Sequence, residues 1–428
     1  MGPRPRSPTS RLADVAVRVE PTPNRVGWGF ISMYAVSLTG NALVLIAPLL
    51  VTLALKVNDL VGIDDAPKTL ALVTGTGSLL AMVSNPLFGR FSDRTTARAG
   101  MRRPWMLIGL AGGTVGTLVV ATAQSVPLVL VGWCTAQVFF NALLAAQAAV
   151  LPDQVPASQR GAVSGVLGVC TPVASVAGTY LVQAFNGHGL AMFLVPCLVG
   201  GAAVVAFATR LHDRRLDPAD RPRWSLRELL GSLYVNPRRH PDFAWAFLSR
   251  FMLVMAFAFL VTYQAYYLIE QLGSSKSDVP HQIFLGTLGQ SAALVVAAPL
   301  AGRLSDRVGS RKVFVAVAAV IYAAALLVIA AAGGLTGYLV GMSVSGLGFG
   351  VYMAVELALV VDVLPRTGSS AKDLGVLNIA GALPFAVAPA VAPAILALGG
   401  GSYSVLYIVA GVFALGGAVA IGPVRGVR

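Results

Sequence analysis

The sequence predicts an all-α membrane protein whose twelve spanning helices form two pseudo-symmetric six-helix halves. Three observations carry that prediction. The 428 residues are 56% hydrophobic and 11% charged, with a mean hydropathy of +0.76, whereas soluble domains carry about 25% charged residues. Twelve stretches of 20 or more residues are almost free of charge, and each can cross ~30 Å of hydrocarbon as a helix. The hexapeptide at Gly89–Arg94 (GRFSDR) returns at Gly302–Arg307 (GRLSDR), 213 residues later. A membrane barrel would need strands of ~9–11 alternating residues, a pattern that is absent.

Residues 1–26 are rich in proline and arginine and hold no apolar run, which predicts a disordered cytoplasmic tail rather than a signal peptide. The first half, 27–208, holds spans at 28–55, 69–89, 104–123, 127–150, 163–184 and 189–208. Residues 209–242 are the longest polar interval and read as a cytoplasmic linker. Within it, 224–234 can form a short amphipathic helix on the bilayer surface. The second half, 243–422, holds spans at 243–269, 281–301, 313–332, 336–361, 374–398 and 403–422, and 423–428 form a second cytoplasmic tail. Pro172 in span 5 and Pro384, Pro389 and Pro393 in span 11 break helices where water or neighbours satisfy the freed carbonyls.

An even number of spans puts both termini on one side. All but four of the 31 lysines and arginines lie on that side; Lys56, Lys68 and Lys276 lie opposite, and Arg250 lies inside a span. Basic loops stay cytoplasmic, so both termini are expected inside a cell membrane. The net charge of +13 then reflects topology and anionic lipid. Spread over seven segments, it forms no nucleic-acid patch. Cys134, Cys170 and Cys197 fall in apolar spans and read as small buried hydrophobes. The four histidines are scattered without metal spacing, no Gly-Lys dipeptide offers a phosphate loop, and no hydrolase motif occurs. No cofactor, metal or catalytic centre is expected.

A second landmark supports the duplication. Asp153-Gln-Val-Pro156 closes span 4, and Asp362-Val-Leu-Pro365 closes span 10, 209 residues on. The run GRFSDRTTARAGMRRPW (Gly89–Trp105), the Asp-x-x-Pro followed by Arg160-Gly161, and the six-plus-six spans together resemble the major facilitator superfamily over residues 25–422. The spacing to Pro104-Trp105 is most similar to the glycoside–pentoside–hexuronide and sucrose–proton symporter-like branches. Those read Gly-Arg-Arg-Arg-Pro where this chain has Gly100-Met101-Arg102-Arg103-Pro104. The resemblance implies a secondary transporter built from two parallel halves that works by alternating access.

The repeated motif has a physical reading. Gly89 and Gly302 are expected to let backbones approach closely, and Asp93 and Asp306 to accept from N–H groups at a helix N-terminus. Arg94 and Arg307 can pair with Asp153 and Asp362. With Arg160, these residues form the expected cytoplasmic gate, which the resemblance implies is latched when the protein faces outward. The plainer alternative is that they only set topology and anchor loops.

Two charges lie inside the spans, Arg250 and Glu356, each about 10 Å from the cytoplasmic end of its helix. Each costs roughly 2.5–3.5 kcal/mol at mid-bilayer, so a pair or a wet cavity is expected. Pairing favours the charged carboxylate and burial the neutral one, so a proton on Glu356 would release Arg250. The alternatives are a permanent structural pair, or an arginine snorkelling to headgroups. Gln147 stands where the duplication puts the counterpart of Glu356.

The resemblance places spans 1, 4, 7 and 10 around a central cavity. Its expected lining is Asn41; Gln137, Asn141 and Gln147; Tyr263, Gln264 and Tyr267; and Ser345 and Tyr352. An aromatic belt is the alternative for the tyrosines, and interhelical hydrogen bonding for the amides. Such groups suit a small organic solute such as a sugar or glycoside, moved with protons by a monomer. The alternative is proton-driven efflux of a hydrophobic, antibiotic-like compound, although span 5 lacks the glycine-rich proline motif of exporters. A polytopic membrane enzyme or receptor is the reading from a different class.

Overall fold

The computed structural model describes residues 25–221, 238, 240–363 and 377–424, with only the backbone of 220, 357–358 and 360–363. Among the described residues, twelve helices are long and apolar enough to cross a membrane. They are α1 (Trp28–Val61), α2 (Ala66–Asp93), α3 (Arg103–Thr122), α4 (Val126–Gln154), α5 (Ala157–Ala184) and α6 (Gly189–Arg210). Then follow α7 (Pro241–Glu270), α8 (Val279–Val308), α9 (Arg311–Ala330), α10 (Leu335–Glu356), α11 (Leu377–Leu398) and α12 (Tyr403–Ala420). The backbone of α10 stays helical to Val363. The expected tails and the 224–234 surface helix lie outside the described residues.

Proline sets the helix starts. Pro67, Pro104, Pro127, Pro241 and Pro280 fall in the first turns of α2, α3, α4, α7 and α8, where a missing N–H costs nothing and the fixed φ is already helical. Inside a helix the same residue forces a break. Pro48 opens a π-helical turn over Pro48–Thr52 within α1, which re-registers the ladder around the lost donor. The α5 ladder is interrupted between Leu167 and Cys170, just ahead of Pro172, and α11 restarts at Pro384.

Packing relies on small residues, because lipid supplies no hydrophobic drive between helices. α1 crosses α6 at Gly40 and Gly200, where a Cβ on Gly40 would lie 2.5 Å from the Gly200 carbonyl oxygen. α3 meets α4 at Gly116 and Gly132, whose added Cβ atoms would lie 2.7 and 2.9 Å from each other's carbonyl oxygens. Outward faces carry exposed Val83, Val115, Leu198 and Val419, which suit a hydrocarbon surround. By contrast, nearly all of α7 from Leu253 to Leu268 is buried. That helix touches α1, α10, α11 and α12, while α2 meets α11 and α5 meets α8.

Candidate functional site

The bundle has two ends. One carries residues 25 and 424 and the α2–α3 loop; the other, the far end, carries the α1–α2 and α7–α8 loops.

At the first end, Arg102 is the centre of an ionic network. α2 delivers Asp93 in its last turn, and the chain returns through Gly100, whose φ of +105° favours glycine. Arg102 then caps α3, its guanidinium bonding Asp93 at 2.6 Å, Asp153 at 2.8 Å and Ser92 Oγ at 2.9 Å. Burial alone would pull the Arg102 guanidinium down, but the Asp153 and Asp93 carboxylates outweigh it and hold it above its ordinary value. From beyond α6, Asp213 accepts from the backbone N–H of both Arg102 and Arg103 at 2.7 Å. One carboxylate thus satisfies two orphan donors at the start of α3. Arg160 donates to the carbonyls of Val155 and Pro152, each at 3.0 Å, which closes the end of α4.

This arrangement differs from the expected pairing in three ways. Asp153 is held by Arg102, not by Arg94, because the long α2–α3 loop carries Arg102 back over α2. Asp93 accepts from that guanidinium rather than from a helix N-terminus. Gly89 and Gly302 make no close approach, since an added Cβ would rest 4.0 Å from Ala145 and 3.9 Å from Ala354. Those alanines are themselves offset as Asp153 is from Asp362. Asp306 and Arg307 are exposed at the end of α8, and the Asp362 side chain lies outside the described residues.

About two turns in from the first end, Arg250 Nη1 on α7 donates to Glu356 Oε1 on α10. The side chains are 21% and 10% exposed. Arg250 Nε is buried and has no hydrogen-bond partner among the described residues. Gly381 of α11 lies against the same edge of the guanidinium, and a Cβ there would sit 3.0 Å from Nη2 and 3.4 Å from Nε. One to two turns toward the far end, Phe257 stacks on Phe349 at 4.5 Å and meets Phe385 edge-on at 6.1 Å. Tyr352, a turn from Glu356, is buried.

The polar contacts between the first six helices and the last six, among the described residues, gather at mid-height and at the far end. Three donors on α7 address backbone carbonyls of the first six helices: Tyr263 lies 3.4 Å from that of Pro67 but nearer, at 3.2 Å, to that of Pro389 on α11, Gln264 reaches Leu50 at 3.5 Å, and Tyr266 reaches Ala54 at 3.0 Å. The Leu50 carbonyl belongs to the π turn of α1. Asn186 donates to the Ser277 carbonyl at 2.6 Å, Lys276 pairs with Asp59 at 3.2 Å, and Ser291 reaches Pro172 at 3.5 Å.

The expected cavity lining divides accordingly. Tyr263 and Gln264 belong to this seal, Tyr338 donating to Gln264 Oε1 at 3.2 Å. Tyr267 turns to α9 and donates to Ile329 at 2.6 Å, and Ser345 bonds Gln290 of α8 at 2.8 Å. Gln147 bonds Ser37 of α1. Four of these five are satisfied by neighbouring helices, because polar groups sealed in an apolar bundle take the nearest partner, whereas Gln147 Oε1 is buried without one among the described residues. Asn141 donates to Gln137 within α4 at 2.8 and 3.2 Å, and Asn41 Oδ1 is buried without a partner among the described residues. Sequence reasoning did not single out Arg102, Asp213, Tyr338 or Gln290. Only the basic run at 102–103 gave a signal. The described residues contain no cluster able to hold a metal.

The model of the Major Facilitator Superfamily matches residues 28–290 and 246–426. Among solved structures, the fold is similar to the nucleoside transporter NupG (TM-score 0.73, 11% identity, covering 92% of this chain and 99% of that one). It is also similar to the peptide transporter POT (TM-score 0.71, 15% identity, covering 94% and 97%). A POT family transporter in complex with a thioalcohol conjugated peptide gives 0.71 at 12% identity, covering 91% and 94%. At these identities the likeness is one of fold. No curated protein sequence matches the chain.

Proposed function

The chain belongs to the Major Facilitator Superfamily, and from that premise we propose a proton-coupled secondary transporter that works by alternating access. It is a multi-pass membrane protein, and its family and structural neighbours are transporters. In our reading α1–α6 and α7–α12 are two halves that rock about a central site. The side rich in Lys and Arg is cytoplasmic, and the Arg102 network with Arg94, Arg160, Asp306, Arg307 and Asp362 is the cytoplasmic gate. The α7 seal onto Leu50, Ala54 and Pro67 supports an inward-facing conformation, closed outside.

One observation carries the coupling: Arg250 and Glu356 form an ion pair between two neighbouring spans, with no charged partner on α1 or α4 among the described residues. Protonation of Glu356 dissolves it, and deprotonation restores it. The solute is small and polar, a sugar or glycoside in class, bound by Asn41, Gln137 and Asn141. The named cargoes of the neighbours, nucleosides and peptides, are also small and polar.

Proteoliposomes with an imposed pH gradient test this. Labelled solute should accumulate against its gradient, in the direction of proton flow for symport and against it for efflux. Glu356→Gln should lose that accumulation yet keep solute exchange. Unchanged accumulation by Glu356→Gln would remove Glu356 from coupling.

A further inference from the structure

We propose that Arg250 is the docking group for the carboxylate of a monoanionic solute, which binds when Glu356 carries a proton. The proposal rests on the coupling reading above and narrows its hydroxylated solute from a neutral sugar to one that carries a single carboxylate, a sugar acid in class.

The guanidinium has five N–H donors in a planar fork, and the described contacts use only the Nη1 side. Its opposite edge, Nε with Nη2, matches a carboxylate bidentately. Gly381 lies against that edge: a Cβ there would stand 3.0 Å from Nη2 and 3.4 Å from Nε, so only a residue without a side chain leaves the edge uncrowded. Nε is buried and lacks a partner among the described residues, a costly condition for a charged donor. The restart of α11 at Pro384 lies beside it. Glu356 and an added carboxylate therefore approach different edges of one cation.

Charge decides what that ligand is. With Glu356 ionised, the pair is neutral. With Glu356 protonated and a monoanion on Arg250, the site is neutral again. A proton alone leaves it at one positive charge, and an anion alone at one negative; both are disfavoured within the bilayer. Only the empty and fully loaded forms cross cheaply, which couples one proton to one monoanion without net charge movement. A dianion or a neutral solute breaks this balance.

The surrounding groups leave the pair to govern the pH response. Among the described residues, Glu356 faces Arg250 on α7 and Tyr352 on its own helix, and α9 brings the buried Tyr322 to this region. α8 has Arg303, Asp306 and Arg307 only at its end, and α11 carries no titratable side chain. Asn41, Gln137 and Asn141 would take hydroxyl groups, so a hydroxylated monocarboxylate fits both sides.

The test needs no knowledge of the natural cargo. Purified Glu356→Gln keeps Arg250 charged and unpaired at every pH, and acetate is small enough to reach it. Acetate should raise its unfolding midpoint by about 2 °C over equal chloride, while neutral acetamide should not. Wild-type protein should respond at pH 5 and not at pH 8, and the double variant Arg250→Gln/Glu356→Gln should not respond at all. If Glu356→Gln cannot be purified, Gly381→Ala supplies the readout: it keeps the pair but fills the free edge, so the pH 5 response should vanish. The proposal is overturned if acetate leaves Glu356→Gln unmoved, if the double variant responds equally, or if Gly381→Ala responds like wild type at pH 5. Any of these can occur while proton-driven transport persists, which would point to a neutral cargo.

Discussion

Gln147 donates to Ser37 Oγ at 2.7 Å, linking α4 to α1. Counted along the duplication, Ser37 corresponds to Arg250, 213 residues on, and Gln147 to Glu356, 209 on. On the proposed duplication, the same two-helix link is neutral in the first six helices and ionic in the last six. The neutral version is a fixed hydrogen bond. In the proposed coupling the ionic one has two states separated by a proton, a difference the neutral link cannot supply.

The two links should respond differently to truncation. Gln147→Leu removes two hydrogen bonds to Ser37, each worth about 0.5–1.5 kcal/mol. Glu356→Leu strands Arg250 and should cost about 3–5 kcal/mol, most of which returns in the double variant Arg250→Met/Glu356→Leu. Thermal unfolding in detergent reads all three. Equal losses for the two single variants would mean that the Arg250 charge finds another partner.

The number of spans, their order and the ionic pair were legible in the sequence because each depends on composition or on a rare charge. What the polar spans bond to was not. Ser345 and Glu356 share α10, yet Ser345 turns to Gln290 while Glu356 meets Arg250. Azimuth on one helix does not say which neighbour stands opposite. The sequence pairs Arg94 with Asp153, but a loop conformation, anchored by Asp213 from 110 residues away, delivers Arg102.

Tyr266 donates across the halves to Ala54 at 3.0 Å. Tyr266→Phe removes that bond alone, and interhelical bonds in membranes average about 0.6 kcal/mol, close to threefold in an equilibrium constant. The far-end seal should loosen by that factor. Spin labels at the exposed Asp64 and Gln271 should show the longer-distance population rising about threefold. An unchanged distance distribution would place the closing energy elsewhere, in α2 against α11.

Gly40→Val should damage the α1–α6 crossing, because the Gly200 carbonyl occupies the space its Cβ needs. Overpacking of this kind costs about 1–3 kcal/mol. Gly29→Ala is the control, lying in the same helix with nothing within 4 Å of the new atom. It should leave the unfolding midpoint unchanged or slightly higher, since alanine favours the helix. A small effect of Gly40→Val would show that α6 can shift without loss.

Arg102→Gln separates anchoring from gating at the α2–α3 loop. The arginine side chain is 6% exposed, whereas Asp93 is 52% exposed and Asp153 33%. Both acids can therefore turn to water once the cation is gone, which moderates the loss to about 1.5–3 kcal/mol. Asp213→Ala should cost about 0.5–2 kcal/mol, the range for a lost helix cap, while leaving Arg102 charged. If the network only anchors the loop, the two variants should lower transport in proportion to their stability loss. If it gates, Arg102→Gln should cut transport well beyond that proportion, with surface expression retained. Asp93→Asn should follow Arg102→Gln, because Asp93 adds little burial and contributes chiefly its charge. Initial transport rates normalised to inserted protein decide between the two. Normal rates in both Arg102→Gln and Asp93→Asn would reduce the network to a loop anchor.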